Sequence, residues 1–464
     1  MLLFVGNVAG VSGCRTWKRR RWISVSMAVV DPGRIGLGGY RLSNDIQKHR
    51  RALETALVSG VQVVDTAASW GDGRSEQLIG EVLEKLLSES KVSREEVLIV
   101  SKAGYLEGFE LRNLQQQNRI PENTVPFSTE GLYSLDPEFL KSQISSSLQR
   151  LRTDYVDYYL LQNPEVLLEG LLVLDDITTK EDTRIQAKQD QFAKHLEDAF
   201  AVLENQCQSG RIRGYGISSN VFVETWNDNP IGIACDQLLS LAKSAAYRVG
   251  AETHHFKVIQ MPANLLERSA FDCNGAAGWA KRNEIRVGIT RPFNAYSDAR
   301  NCSMRLTRAF PVTAYELELE KILQNLNDNG MEDLAAVLKQ CDSMKGEFFS
   351  IVDFQNTMSA SIMPYITELL KQKQEINAVL VSEANGFFDT LQNWIAYNRY
   401  EAVVEEVRLL ESVGAFGDLK WGKDESLHHF AVRWLLGQLD QADFVLVGMG
   451  TESHVRDMLA LNVP

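Results

Sequence analysis

Short apolar runs alternate with amphipathic segments along most of this chain. The runs are rich in Val and Ile, as buried strands are, whereas the segments between them repeat apolar residues every three or four positions, as helices do. This alternation favours a parallel sheet joined by crossover helices, and eight strands are the number that closes an α/β barrel. The predicted strands are 34–40, 61–65, 97–102, 155–161, 212–218, 258–264, 285–292 and 444–448.

The helical segments between these strands have recognisable boundaries. Asp136 suits the N-cap of one helix and Pro137 suits its first turn. Two polar stretches interrupt the pattern, and we predict a long loop over one barrel mouth at 106–134 and a charged insertion at 166–190. The other predicted helices are 46–60, 75–90, 191–209, 426–436 and 451–461.

The alternation stops between residues 297 and 425. This stretch contains long helical patterns such as AYELELEKILQNL and no comparable strand run. It is too long for a loop, so we predict a helical insertion or a small subdomain. The fold class expected is therefore α/β, with a large helical insertion between strand seven and the last helix–strand unit of the barrel.

Composition excludes several classes of protein. The chain has 464 residues, 44% of them hydrophobic, and a net charge of -13, which argues against a nucleic-acid binder. No apolar stretch approaches the length of a membrane span. The six cysteines are scattered without a CxxC motif and indicate free thiols in a reducing compartment. Adjacent histidines at 428 and 429 lack a carboxylate or cysteine cluster beside them, so we predict no metal site.

The first 30 residues form a basic leader. They carry an apolar start followed by RTWKRRRW, and no acidic residue occurs before Asp31. An arginine-rich, acid-free start is typical of a transit peptide and indicates a mitochondrial or plastid protein. The alternatives are a disordered basic leader or translation from Met27, in which case the protein is expected in the cytoplasm.

The candidate chemistry begins at Asp65, which ends the second predicted strand. Carboxyl ends of strands hold the catalytic groups of parallel barrels, although Asp65 could also only cap the next segment. The block VQVVDTAASWGDGRSEQLIG around it resembles the first signature of the aldo-keto reductases. The matching residues are Asp65, Thr66, Ala67, Gly71, Gly73, Ser75, Glu76 and Gly80.

Later segments resemble the same family in the family's order. They are LENQCQSGRIRGYGISSN, QMPANLLE, RPFNA, HFAVRWLL and VLVGMGTESHV. The resemblance implies a TIM (β/α)8 barrel over residues 31–296 and 426–464, with the insertion at 297–425 outside it. It also implies a nicotinamide cofactor across the top of the barrel.

The resemblance further implies a tetrad of Asp, Tyr, Lys and His that reduces a carbonyl. Asp65 and Lys102 match two of its members, but Trp70 stands at the tyrosine position and Gln162 at the histidine position. In such a tetrad the tyrosine donates a proton and the lysine lowers its pKa. Indole N–H can form a hydrogen bond but is not a proton donor near neutral pH, and glutamine does not titrate.

The cofactor is implied by the resemblance to be NADP or NAD, with NADPH favoured by the family. Arg291 is expected near the pyrophosphate. The grip on the 2′-phosphate is weak, because Gly448 and His454 stand where the family places Lys or Arg. The other cofactor-binding residues implied are Gly39, Tyr40, Ser218, Ser219, Asn220, Gln260, Thr451 and Asp457.

Two functions remain open from the sequence. One is an NAD(P)-linked oxidoreductase with an altered tetrad, acting on an aldehyde, a ketone or a sugar-like alcohol. In that case Tyr105, Tyr40 or a water replaces the missing tyrosine. The other is a barrel that has lost catalysis and binds a nucleotide, or a protein partner through the helical insertion. Neither nucleic acid nor a membrane is expected as a partner.

Overall fold

The computed structural model of this chain contains two compact units. The first comprises residues 1–262, 269–290 and 438–464, and the second comprises 263–268 and 291–437. The structure describes residues 28–29, 32–177, 182–222, 234–272, 275–297, 300, 302–307, 315–348, 350–371, 378–438 and 440–463.

Eight strands of the first unit form a closed barrel in which every pairing is parallel. In chain order they are β2 (Ile35–Gly38), β3 (Val63–Asp65), β4 (Leu98–Ala103), β8 (Val156–Gln162), β9 (Ile212–Ser218), β10 (Phe256–Pro262), β11 (Arg286–Thr290) and β14 (Phe444–Val447). The predicted TIM-type barrel is therefore confirmed. Each predicted strand falls on an observed one, with ends that differ by up to two residues.

Helices connect most of these strands. They are α1 (Gln47–Val58), α2 (Arg74–Ser88), α4 (Pro137–Leu151), α5 (Glu165–Leu174), α6 (Ile185–Gln208), α7 (Cys235–Arg248), α8 (Ala276–Arg282) and α15 (Glu452–Leu459). The apolar faces of α1 and α2 are buried, as their periodicity predicted. Short 3₁₀ turns lie at Pro32–Arg34, Arg94–Glu96 and Ser269–Phe271.

The prediction of a long loop at 106–134 was wrong. This stretch contains helix α3 (Gly108–Gln116) and most of a three-stranded antiparallel sheet, formed by β5 (Tyr105–Leu106), β6 (Thr124–Ser128) and β7 (Gly131–Ser134). Tyr133 is fully buried and anchors the sheet. The strands are too short for a periodic signal, and Pro126 lies inside one of them, where a proline normally argues against a strand.

The prediction of a charged insertion at 166–190 was also wrong. Its first part is α5, whose residues Leu167 and Leu168 are fully buried against the first unit. Its last part is the beginning of α6, which starts at Ile185. Acidic residues between the two helices obscured the apolar run that forms α5.

The second unit is mostly helical. Its helices are α9 (Tyr315–Asp328), α10 (Glu332–Ser343), α11 (Ile351–Thr357), α12 (Met363–Lys371), α13 (Ala378–Ser412) and α14 (Leu427–Leu436), with a π-helical turn at Met358–Ile362. Leu326, Leu338 and Phe387 lie at the centre of a core shared by α9, α10 and α13. An antiparallel hairpin of β12 (Asn294–Ser297) and β13 (Cys302–Arg305) precedes them, although no strand was predicted there.

Helix α14 was predicted to be part of the barrel, but it belongs to the second unit, which extends to Gly437. The other predicted domain boundaries stay predictions. The predicted leader lies outside the described residues except for β1 (Ala28–Val29), which pairs with β15 (Asn462–Val463). Among the described residues, no helix is both long and apolar enough for a membrane span. Cys207, Cys235, Cys302 and Cys341 are free thiols, and Cys14 and Cys273 lie outside the described residues.

The start of α4 provides a test of the local sequence reasoning. Asp136 Oδ1 accepts hydrogen bonds from the backbone N–H groups of Glu138 (3.0 Å) and Phe139 (3.1 Å). We expect Asp136→Ala to lower the free energy of unfolding by about 1 kcal/mol, because these donors lose their cap. Asp136→Asn keeps the acceptor and should cost much less. Equal losses for the two variants in urea denaturation would contradict the capping role.

Candidate active site

A buried ion pair lies at the C-terminal mouth of the barrel, the end at which the carboxyl ends of its strands meet. Lys102 Nζ on β4 lies 2.5 Å from Asp65 Oδ1 at the end of β3. The ammonium also donates to the carbonyl oxygen of Thr66 at 2.9 Å. The two side chains are only 4% and 2% exposed, for Asp65 and Lys102 respectively. Asp65 is therefore the partner of a buried cation, and its catalytic role stays a prediction.

Burial acts on the two members of this pair in opposite directions. It raises the pKa of the Asp65 carboxyl, while Lys102 and a hydrogen bond from Gln260 counteract the rise. It lowers the pKa of the Lys102 ammonium, while Asp65 counteracts the fall. Each charge is therefore maintained by the other, because removal from water disfavours both charged forms.

The signature residues around Asp65 connect strand ends to one another. The Gly39 N–H donates to the Asp65 carbonyl at 2.7 Å, and the Ser75 hydroxyl donates to the Gly39 carbonyl at 2.9 Å. A Cβ at Gly39 would lie 2.7 Å from both the Asp65 carbonyl oxygen and the Ser75 Oγ, so only glycine fits here. The Thr66 hydroxyl completes the network with a bond of 2.9 Å to Ser75 Oγ.

Glu76 of the signature has a structural role. It is fully buried at the start of α2 and accepts hydrogen bonds from Ser101 Oγ (2.5 Å) and Arg150 Nε (2.6 Å). Ser101 lies on β4 directly before Lys102. Glu76 thus connects α2 and α4 to the strand that carries the lysine.

Trp70 covers the lysine. The Lys102 Nζ lies 4.4 Å from the centroid of the indole, within cation–π distance. Tyr40 packs on Trp70, with the two ring centroids 5.5 Å apart in an edge-to-face arrangement. Tyr40 is 68% exposed. The site therefore combines an aromatic cover with an exposed phenol beside it.

Gln162, Ser218 and Gln260 lie on neighbouring strands. Gln162 is paired with Ser218 and Ser218 with Gln260 across β8, β9 and β10. Gln260 is fully buried, and its Nε2 donates to Asp65 Oδ1 at 2.7 Å. Its Oε1 is buried as well and accepts no hydrogen bond from the described residues. A buried amide oxygen without a donor is costly, so it is suited to receive one from a ligand.

A buried carboxylate that sequence reasoning missed lies next to this group. Glu165 is 5% exposed and accepts hydrogen bonds from Ser219 Oγ (2.9 Å) and the Asn220 N–H (3.2 Å). Burial raises the pKa of its carboxyl to about 7. The only signal in the sequence was its position directly after a strand end, in the run LLQNPE.

Tyr105 was one candidate for the missing proton donor. Burial raises the pKa of its phenol to about 12, and its hydroxyl oxygen accepts a hydrogen bond from Asn163 Nδ2 at 2.9 Å. Its ring packs edge-to-face on Tyr133 at 5.2 Å. These contacts fix the Tyr105 ring against Asn163 and Tyr133.

The remaining predicted cofactor residues, Gly448, Thr451, Asp457 and Arg291, lie in three places, which are the end of β14, helix α15 with its N-cap, and the second unit. Gly448 follows β14, whose Val447 is paired with β2. Thr451 Oγ1 accepts from the His454 N–H at 3.2 Å as the N-cap of α15, and Asp457 is exposed on that helix. Arg291 belongs to the second unit, where it is paired with Glu267.

Comparison with known proteins gives consistent matches. The family model described as the aldo/keto reductase family matches residues 34–239. The oxidoreductase YqkF of Bacillus subtilis is 26% identical over 192 residues, which are 41% of this chain and 46% of that protein. The aldo-keto reductase YhdN of the same organism is 22% identical over 270 residues, 57% of this chain and 59% of that protein. The matches thus span about half the length of these relatives.

Solved structures of the same kind are also similar. Aldo-keto reductase AKR11C1 from Bacillus halodurans aligns with a TM-score of 0.46 and 17% identity, over 92% of this chain and 85% of that one.

The ion pair makes a specific prediction for stability. Lys102→Met leaves Asp65 buried without a cation, and we expect it to lower the free energy of unfolding by about 3–5 kcal/mol near neutral pH. Loss of the ammonium raises the pKa of Asp65 further. The deficit should therefore be small at acidic pH, where the carboxyl is protonated, and grow as the pH rises.

Denaturant unfolding across the acidic and neutral range measures this deficit. Lys85→Met is a matched control, since Lys85 pairs with Glu54 at 2.8 Å on the exposed surface. It should change stability little at any pH. A pH-independent deficit in Lys102→Met would show that the lysine does not control ionisation of Asp65.

Proposed function

We propose that this chain, which belongs to the aldo-keto reductase superfamily, binds a nicotinamide dinucleotide at the C-terminal mouth of its barrel. In this proposal it is an NAD(P)-linked oxidoreductase that acts on an aldehyde, a ketone or a sugar-like alcohol. Trp70 and Gln162 stand in place of the usual tyrosine and histidine.

The observation that carries this proposal is the buried Oε1 of Gln260. It lacks a donor among the described residues, and it lies beside the Asp65–Lys102 pair, with Ser218 on the adjacent strand. A carboxamide N–H₂ would satisfy this oxygen, and the Ser218 hydroxyl can bind the carboxamide oxygen. The residues of the mouth therefore fit the nicotinamide group, which supplies a hydride when it is bound.

Reduction of a carbonyl also requires a proton for its oxygen, which a residue of the chain or water has to donate. The ammonium of Lys102 is held by Asp65 and Thr66 and covered by Trp70, so it does not face the mouth directly. Gln162 is half-buried and offers an amide that can orient a carbonyl oxygen. The proton is left to the exposed phenol of Tyr40 or to water, and we expect slow catalysis as a consequence.

A second candidate function is a barrel that binds a nucleotide without reducing carbonyls. Trp70 favours this second function. Its indole lies over Lys102, where a proton donor would be needed, and an indole does not give up its N–H proton near neutral pH. In this form the protein would act through binding alone, and the helical second unit would be the surface for a protein partner.

We expect titration with NADPH or NADH to show saturable binding by nicotinamide fluorescence. Gln260→Leu should weaken it about tenfold, since a hydrogen-bond acceptor for the ligand is lost. Gln143→Leu is the control, because Gln143 on α4 is similarly buried and its Oε1 also accepts no hydrogen bond from the residues that the structure describes. Equal effects of the two changes, or no binding by the wild type, would argue against a nicotinamide site.

Restoring the two exchanged residues tests the account of catalysis. We expect Trp70→Tyr combined with Gln162→His to raise the reduction of glyceraldehyde or nitrobenzaldehyde roughly 100-fold, the usual scale of general acid catalysis. Oxidation of NADPH followed by absorbance measures the rate. Trp70→Phe with Gln162→His lacks the phenol and should show no such gain. If the folded variant with Trp70→Tyr and Gln162→His reduces these aldehydes no faster than the wild type, the missing tyrosine does not limit the rate.

A further inference from the structure

The carboxylate of Glu165 fixes the end of β9 from one side. It lies at the first residue of α5, directly after the end of β8. Its Oε2 accepts from Ser219 Oγ at 2.9 Å, and its Oε1 accepts from the Asn220 N–H at 3.2 Å. Ser219 Oγ in turn accepts from the Val221 N–H at 3.1 Å. One side chain thereby organises three consecutive residues beyond the strand.

Neighbouring strands fix the same segment from the other sides. The Ser219 N–H donates to the Gln260 carbonyl at 3.0 Å, and the Asn163 N–H donates to the Ser218 carbonyl at 2.6 Å. Ser218 to Asn220 is therefore held between β8 and β10. The same Gln260 carries the amide oxygen that lacks a donor.

The environment of Glu165 is unusual for a buried acid. Within the described part of the chain it has no salt bridge, and its hydrogen-bond donors are the Ser219 hydroxyl and the backbone N–H groups of Asn220 and of Glu165 itself. Burying a carboxylate without a cation is expensive. The three hydrogen bonds that Glu165 accepts offset part of this cost, and two of them come from residues beside the proposed cofactor site.

We infer that Glu165 is a positioning residue, which holds Ser219 and Asn220 and thereby places the preceding Ser218 where it can receive the carboxamide of a nicotinamide dinucleotide. This inference rests on the proposed function. Glu165 itself acts through Ser219 and Asn220, since both of its oxygens are occupied by them.

Ionisation of Glu165 should make this positioning depend on pH. Burial raises the pKa of its carboxyl to about 7, the bonds from its own backbone N–H and from Ser219 and Asn220 lower it, and nearby Glu169 raises it. Tyr105 and Tyr133 also face it, but burial raises the pKa of both phenols above their ordinary value, so they stay neutral. Above about pH 7 the carboxylate accepts both bonds, and below it protonation removes one acceptor.

Two measurements on the full-length protein test this. The first is amide hydrogen exchange of the peptide spanning 212–222 without any cofactor. Glu165→Ala should exchange faster there than the wild type, because the Asn220 N–H loses its acceptor. Glu169→Gln, an exposed acid on the same helix, is the matched control and should exchange as the wild type does. Unchanged exchange in Glu165→Ala would overturn the positioning role.

The second measurement is the dissociation constant for NADH, which lacks the titrating 2′-phosphate, on both sides of neutral pH. The wild type should bind about tenfold more tightly at the alkaline end, because a charge-assisted hydrogen bond is gained there. Glu165→Gln keeps the shape without titrating and should show a flat profile. Glu169→Gln should keep the pH dependence, with its midpoint at slightly lower pH because Glu169 raises the pKa of Glu165. A slope that persists in Glu165→Gln would refute the inference.

The two measurements separate the possible failures. If the wild type binds neither NADH nor NADPH, the proposed function is wrong and so is the cofactor role of Glu165. The exchange result then still decides whether Glu165 holds residues 219 and 220. If binding is observed but Glu165→Ala changes neither exchange nor affinity, only the positioning role is overturned.

Discussion

The Asp65–Lys102 pair is the constraint on which the rest of the mouth depends. Two opposite charges that are almost fully buried at 2.5 Å are stable only if every remaining donor and acceptor is satisfied. Gln260 and the Thr66 carbonyl supply the additional hydrogen bonds. The ion pair therefore depends on the register of the strands that carry Asp65, Lys102 and Gln260, which are β3, β4 and β10.

The residues of the DTAASWGDGRSE signature serve this constraint in different ways. Ser75 and Gly39 attach the turn after β3 to the end of β2, and Glu76 attaches α2 to the strand of Lys102. These contacts account for most of the signature without reference to a substrate. A preserved signature thus indicates a preserved scaffold, whereas the chemistry depends on the few positions that face the mouth.

Trp70 changes the character of that mouth. Its indole presents a π surface to Lys102, which stabilises the ammonium but provides no proton. Glu165 lies close by among the described residues, and burial raises the pKa of its carboxyl to about 7. Protonation of Glu165 acts on the groups that donate to it, the Ser219 hydroxyl and the Asn220 N–H.

The sequence by itself determined the barrel, its strand order and the residues at the strand ends, because periodicity and strand-end motifs are local properties of the chain. The resemblance to the aldo-keto reductases assigned Asp65 and Lys102 to one tetrad, and the structure pairs them. Only the tertiary structure decided that Trp70 lies on Lys102 and that Gln260 has a buried oxygen without a donor among the described residues. It also decided that Glu165 accepts hydrogen bonds from the residues that follow β9. The sheet at 105–134 and helix α5 were likewise missed. These features arise from contacts between residues distant in sequence, whose burial and partners no local pattern records.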